Sequence, residues 1–137
     1  MIRFVFPLLA LIWLCLGCSP EQKIQVVDLN MSLALELESN DLLEVYVFDN
    51  EANTCSQLLN SSDPDGSERI EKQTESAEGL NEGVIDFELE ELPAEVPLAF
   101  YAHVLRTTEG FLGRDCEDAI TIPAGGEIAL TLTIESN

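Results

Sequence analysis

The 137-residue chain holds one histidine, four cysteines and 26 acidic residues, so few side chains are equipped for chemistry. His103 is the only imidazole and hence the obvious general base. It stands in "LAFYAHVLR" beside Tyr101, with no serine or cysteine nucleophile motif aimed at it. Neither H-E-x-x-H nor G-x-S-x-G occurs, so a packed or rim histidine is the expected role. The segment "SSDPDGSERIEK" gathers acids around a Gly turn, as calcium loops do. An EF-hand register with Gly66 at the sixth position sets Lys72 where the bidentate Glu belongs. A solvated Pro-Gly turn is the expectation, with a non-EF calcium site of Asp63, Asp65 and Glu68 as its alternative. Asp86, Glu88, Glu90 and Glu91 could pose as a glycosidase pair. In so acidic a chain, however, neighbouring carboxylates have little specificity. No Gly-rich phosphate loop is present, and no cofactor is expected.

The remaining reactive groups are cysteines, and the first two lie in a leader. Arg3 is the only charge before Glu21, Phe4 to Leu14 is apolar apart from Pro7, and Gly17 precedes Cys18. A positive start, a short apolar run and a small residue form an export signal, too short to span a membrane as a helix. Leu16-Gly17-Cys18 resembles the end of the lipobox of bacterial lipoproteins. The resemblance implies cleavage before Cys18 and a lipid on its sulfur. Cys15 and Leu16 stand where the lipobox has leucine and a small residue. An ordinary secretory signal or an uncleaved anchor, with Cys18 incidental, is the alternative. Ser19 after the cysteine resembles the pattern of outer-membrane members of that family. The implied organisation is residues 1–17 signal peptide, 18–23 lipidated cysteine and short tether, and 24–137 one domain. The tether would span on the order of 20 Å, which keeps the domain near its membrane.

With Cys15 removed and Cys18 acylated, Cys55 and Cys116 remain as an expected disulfide in an oxidising compartment. Two free thiols or a metal pair are the alternatives, and the scarcity of histidine and of Cys-x-x-Cys spacing argues against zinc. The mature chain sets 26 acids against five Lys and Arg, a formal charge of −21 once Arg3 is gone. That field repels nucleic acid and anionic head groups, so no nucleic-acid partner is expected. Solubility is the plain reason for such charge.

The elements that must hold these residues read mostly as strands. "VVDLNMSLALEL" alternates, with Val27, Leu29, Met31, Leu33, Leu35 and Leu37 on one face. "LLEVYVFD" and "LAFYAHVLR" are apolar on both faces and should be central. "NTCSQLLN" suggests a helical turn capped by Asn53, and Arg69–Thr74 an edge strand. "VIDFELEEL" alternates again, "TTEG" links strands into "FLGRDC", and "AITIP-AGGE-IALTLTI" reads as a closing hairpin. Short strands with turn punctuation and little helical periodicity specify an all-β fold, an antiparallel β-sandwich of about seven or eight strands. "LPAEVPLAFYAHVLRTTEGFLGRDC" and the terminal hairpin resemble the prealbumin-like and immunoglobulin-like modules of envelope proteins. The resemblance implies architecture and suits a pairing of Cys55 with Cys116.

The functional expectation is a non-catalytic protein moored in the cell envelope, at the outer membrane, through lipid on Cys18. It would serve as an interaction or structural module with a protein partner. A small-ligand or lipid carrier with strands closed as a barrel, and a calcium-dependent adhesion module, are the alternatives. A small hydrolase fits least, since no nucleophile-base pair can be named.

Overall fold

The computed structural model describes residues 24–78 and 83–137. The expected leader (residues 1–17) and Cys18 tether (residues 18–23) lie outside the described residues. Seven strands run in the order β1 (Val26–Ala34), β2 (Leu42–Asp49), β3 (Glu71–Ser76), β4 (Val84–Glu90), β5 (Leu98–Arg106), β6 (Gly110–Ile120) and β7 (Glu127–Glu135). A one-and-a-half-turn helix, α1 (Cys55–Asn60), and a 3-10 turn (Pro64–Gly66) lie between β2 and β3. β4, β1 and β7 form one sheet in that order; β3, β2, β5 and β6 form the other. The architecture is the expected β-sandwich. Two separate sheets, not one closed barrel, set aside the barrel geometry considered for a carrier.

Alternation decides what each strand buries. Val27, Leu29 and Met31 from β1, Phe87 and Leu89 from β4, and Leu132 and Ile134 from β7 point at the facing sheet. Leu43, Val45 and Val47 from β2 and Leu98, Phe100, Ala102 and Val104 from β5 meet them. Each fully buried side chain of this size contributes about 1.5–3 kcal/mol. The apolar rhythm of β1 outlasts its ladder: Leu35 and Leu37 lie past Ala34 yet still pack against the core. β2 and β5 are central and pair in register from Leu42–Leu105 to Asp49–Leu98, as their two apolar faces require.

Three expectations shift. The last segment is not a hairpin. After Ile120 the chain crosses to the other sheet, and β7 pairs with β1 in parallel, Val26 opposite Glu127 through Ala34 opposite Glu135. Every other pair is antiparallel. Alternation in β7 buries one face whichever neighbour it finds, so its partner cannot be read locally. The edge strand begins at Glu71, two residues later than expected, because Ile70 N–H is still a lone contact to Val47 O (2.8 Å). Thr54, not Asn53, caps α1: its hydroxyl accepts from Gln57 N–H while the Gln57 side chain accepts from Thr54 N–H, a capping box.

The sheets also meet along their flanks. Asp115 Oδ2 accepts from Thr133 N–H (2.8 Å), Leu112 O accepts from Asn137 N–H (3.1 Å), and Gln73 Nε2 donates to Glu88 O (3.0 Å). These bridges occupy edge groups of β4, β6 and β7 that could otherwise recruit another strand. Gly113 permits the first of these closures, since a Cβ there would run into the Glu135 carbonyl.

Candidate functional site

The outer face of the four-stranded sheet carries a second, smaller core. Tyr46 and Phe48 of β2, Ala99 and Tyr101 of β5, and Leu58 of α1 are all buried there, with Cys116 packed alongside. The helix reaches this face because its first residue, Cys55, is disulfide-bonded to Cys116 of β6, with a Cα separation of 5.5 Å. Asp118 Oδ1 also accepts from Cys55 N–H (2.8 Å) and from Asn50 Nδ2 (2.9 Å). The expected pairing of Cys55 with Cys116 is therefore present, and it pins α1 over the aromatic residues.

Beside this patch lies a buried polar cluster built from register alone. Glu44 sits opposite His103, and Tyr46 opposite Tyr101. Thr74 and Lys72 of β3 flank the first strand, and Arg114 of β6 lies opposite His103 on the other side. His103 is 2% exposed and Glu44 8%. His103 Nε2 stands 2.7 Å from Glu44 Oε2, and its Nδ1 stands 3.1 Å from the Tyr101 hydroxyl. Tyr46 also donates to Glu44 Oε2 (2.8 Å), while Lys72 Nζ lies 3.0 Å from Oε1. Thr74 completes the carboxylate with a longer contact of 3.4 Å. Lys72 lies 5.0 Å from the centre of the Tyr46 ring, and Arg114 4.9 Å from that of Phe111.

These neighbours set the charges. Burial alone would raise the Glu44 pKa, but hydrogen bonds from Tyr46, Lys72 and His103 outweigh it and hold the group at about 2. Burial lowers the His103 pKa, against the pull of Glu44, with Lys72 and Arg114 adding to the lowering. The imidazole is thus neutral and Glu44 ionised. A carboxylate can only accept, so the Nε2 proton is donated to Glu44, and Nδ1 accepts from Tyr101. Burial pushes the Tyr101 phenol up to about 12 and the Tyr46 phenol higher still. Every buried polar side-chain atom among the described residues has a partner.

Tyr101, His103 and Glu44 thus form a hydroxyl–imidazole–carboxylate series in the order of a hydrolytic triad. The hydroxyl is sealed: Tyr101 is fully buried, so no substrate can touch its oxygen. The arrangement fastens β2 to β5, as expected of a packed histidine.

A second ion pair lies at one end of the sandwich. Arg106 grips the fully buried Asp41 through Nε–Oδ1 and Nη2–Oδ2 contacts, each 2.8 Å. Arg106 Nη1 reaches Glu38 (3.1 Å) and Glu109 (3.6 Å). The guanidinium lowers the Asp41 pKa against the opposing effect of burial. An open cleft of about 510 Å³ lies beside Arg106, lined in part by Leu42, Ser76 and Thr108.

The acidic loop is occupied with its own turn. Asp63 caps the 3-10 turn by accepting from Gly66 N–H (3.1 Å), and Asp65 pairs with Arg69 (2.6 Å) and Lys72 (3.4 Å). Glu68 is exposed and does not join them in a ligand cluster. Asp86, Glu88 and Glu90 project from the exposed face of the three-stranded sheet. Glu90 and its acidic neighbours raise the Glu88 pKa, a sign of like charges sharing one surface.

Glu44, Tyr46, Lys72, Arg114 and the Asp41–Arg106 pair escaped the sequence reading. One signal was available: Glu44 is a charge inside a strand otherwise apolar on both faces. Such a residue must find a buried partner.

No protein-family signature and no curated protein sequence matches the chain. Among solved structures, the fold is similar to that of an alternative pilotin from the type II secretion system of Vibrio cholerae, with a TM-score of 0.54 and 16% sequence identity. The match covers 84% of this chain and all of the other, so the two proteins share the sandwich architecture over nearly its whole extent.

Proposed function

We propose that this is a non-catalytic lipoprotein of the cell envelope, tethered to the outer membrane by acylated Cys18, that assists a secretion-system component in assembling. The observation that carries the reading is the likeness of the sandwich to a secretion-system pilotin, which spans that whole protein. The leader ending in Leu16-Gly17-Cys18 supports it independently. So does the burial of the Tyr101–His103–Glu44 series, whose own hydroxyl is closed to solvent. A tether of residues 18–23 would hold the N-terminal end of β1 nearest the lipid. The Arg106 end of the sandwich would then face away from that membrane, since Arg106 at the end of β5 meets Glu36 and Glu38 just past the end of β1.

The experiment follows the chain and its client in the native host. Globomycin should block maturation, labelled palmitate should enter the wild type, and Cys18→Ser should abolish labelling. Deleting the gene should leave a secretion-system component outside the outer-membrane fraction, and Cys18→Ser should fail to restore it. Normal localisation and secretion in the deletion strain would refute the assembly role. Absence of palmitate labelling would refute the anchor.

A further inference from the structure

Three loops are tied into one surface at the end of the sandwich where β1 and β7 begin and β4 finishes. The β4–β5 loop is joined to the β6–β7 loop twice, by Glu95 N–H on Ile122 O (2.9 Å) and by Ala124 N–H on Glu95 Oε1 (2.9 Å). Asn50, after β2, donates its N–H to Pro97 O (3.1 Å), and Val26 N–H reaches Gly126 O (3.1 Å). Leu92 and Ile122 are buried beneath these contacts. Outward stand Ile24 (46% exposed), Val96 (41%), Pro93, Pro123 and Ala124. The opposite end is charged instead, with Glu38 and Glu109 around Arg106.

Single apolar side chains on a surface need no explanation, but a set gathered on one end marks a contact. This set also loses water at little cost. Proline has no N–H to strand, and the N–H groups of Glu95, Ala124 and Gly126 already have acceptors within the loops. Glu95 stands at φ 58, uncommon for a residue with a side chain, and its carboxylate turns back onto Ala124.

We propose that this end is a second membrane contact, which rests Ile24, Val96, Pro93 and Pro123 among the head groups of a zwitterionic phospholipid surface. The contact rests on the acylation of Cys18 proposed above. Residues 18–23 separate that lipid from Ile24 by on the order of 20 Å at full extension. The lipid therefore keeps this end at the surface, and a contact too weak to hold a free domain becomes intramolecular. Charge selects the kind of lipid: Glu51, Glu91 and Glu127 are exposed around the apolar set, so anionic head groups repel it. Held at this end, the sandwich stands upright and presents its Arg106 end away from the bilayer.

The test uses the full chain, acylated in its host, checked by mass spectrometry and placed in phosphatidylcholine nanodiscs that carry a doxyl-labelled lipid. Relaxation of backbone amides by the label should be strong at Ile24, Val96 and Ala124 and weak at Thr108. A tether alone also grades relaxation along the molecule, so the double variant Ile24→Ser, Val96→Ser decides. Both positions are exposed, and unchanged amide shifts in β2 and β5 verify the fold. Relaxation at Ala124 should drop about fivefold in the variant, because the exposed part of two aliphatic side chains leaves the contact. Adding phosphatidylglycerol should loosen the wild-type contact, and salt should restore it. The contact is refuted if the acylated variant relaxes like wild type or if phosphatidylglycerol tightens it. Amide shifts at Ile24 and Val96 that follow protein concentration instead of lipid would mark a second copy as the occupant and refute it too. A chain without acyl mass overturns the anchor and this contact together; an acylated chain that fails these comparisons overturns the contact alone.

Discussion

Replacing Cys55 and Cys116 by alanine tests how far the fold depends on its covalent link. The bond closes a loop across a sequence separation of 61 residues that contains α1, β3, β4, β5 and the first part of β6. On the chain-entropy relation a loop of that length restricts the unfolded chain by roughly 4 kcal/mol. Small domains are stable by only about 5–15 kcal/mol in total, so the loss is a large share. In the folded state little should change at the sheets, because the pairing of β2 with β5 runs through eight residue pairs of its own. The helix is more exposed to the change. It retains Leu58 in the aromatic cluster, the Asp118 bond to residue 55, and the Arg114–Ser61 contact. Urea unfolding of the chain beginning at Ser19 provides the assay, followed by tyrosine near-ultraviolet circular dichroism because a chain starting there omits Trp13, the one tryptophan of the sequence. With a slope of about 2 kcal/mol per molar, the midpoint should drop by about 2 M. Wild type under a reducing agent should coincide with the double variant. A displacement under about 0.5 M would show that the unfolded chain is not what the bond restrains, and would refute the loop-closure reasoning.

Acid should weaken the fold in two stages. A neutral His103 with a lowered pKa means the unfolded chain takes up a proton first, so stability falls as pH drops below about 6.5, and His103→Gln should remove that slope. Glu44, held at about 2, contributes stability that is complete above about 4.5 and is lost as pH falls toward 2; Glu44→Gln should flatten that lower limb in a pH series of thermal melts. Gly113→Ala should cost about 1–3 kcal/mol by pushing β6 away from Glu135, measured as a lowered urea midpoint, and a neutral result would show the flank can yield. Asp41→Asn should lower the melting temperature by leaving Arg106 without its fork, with a smaller effect in Arg106→Lys; equal melts for all three proteins would refute a structural role for the pair.

Alternation by itself makes the strand faces legible. Val27 to Met31, Leu43 to Val47 and Leu98 to Val104 bury the side that period two assigns them, because neighbouring side chains on a strand must point apart. Apolar residues on both faces of β2 and β5 mark these two strands as central, and the expectation that Cys15 and Cys18 serve an export leader singles out Cys55 and Cys116 as the pair for bonding. Tertiary structure alone decides which strands meet. β7 lies parallel to β1, and Glu44 faces His103 across a separation of 59 residues. Nothing local to either segment encodes such a meeting. Pairing is chosen by the joint burial of both sheets, in which residues remote in the chain share one core, and the buried charge of Glu44 acquires its meaning only when His103, Tyr46 and Lys72 are delivered to it.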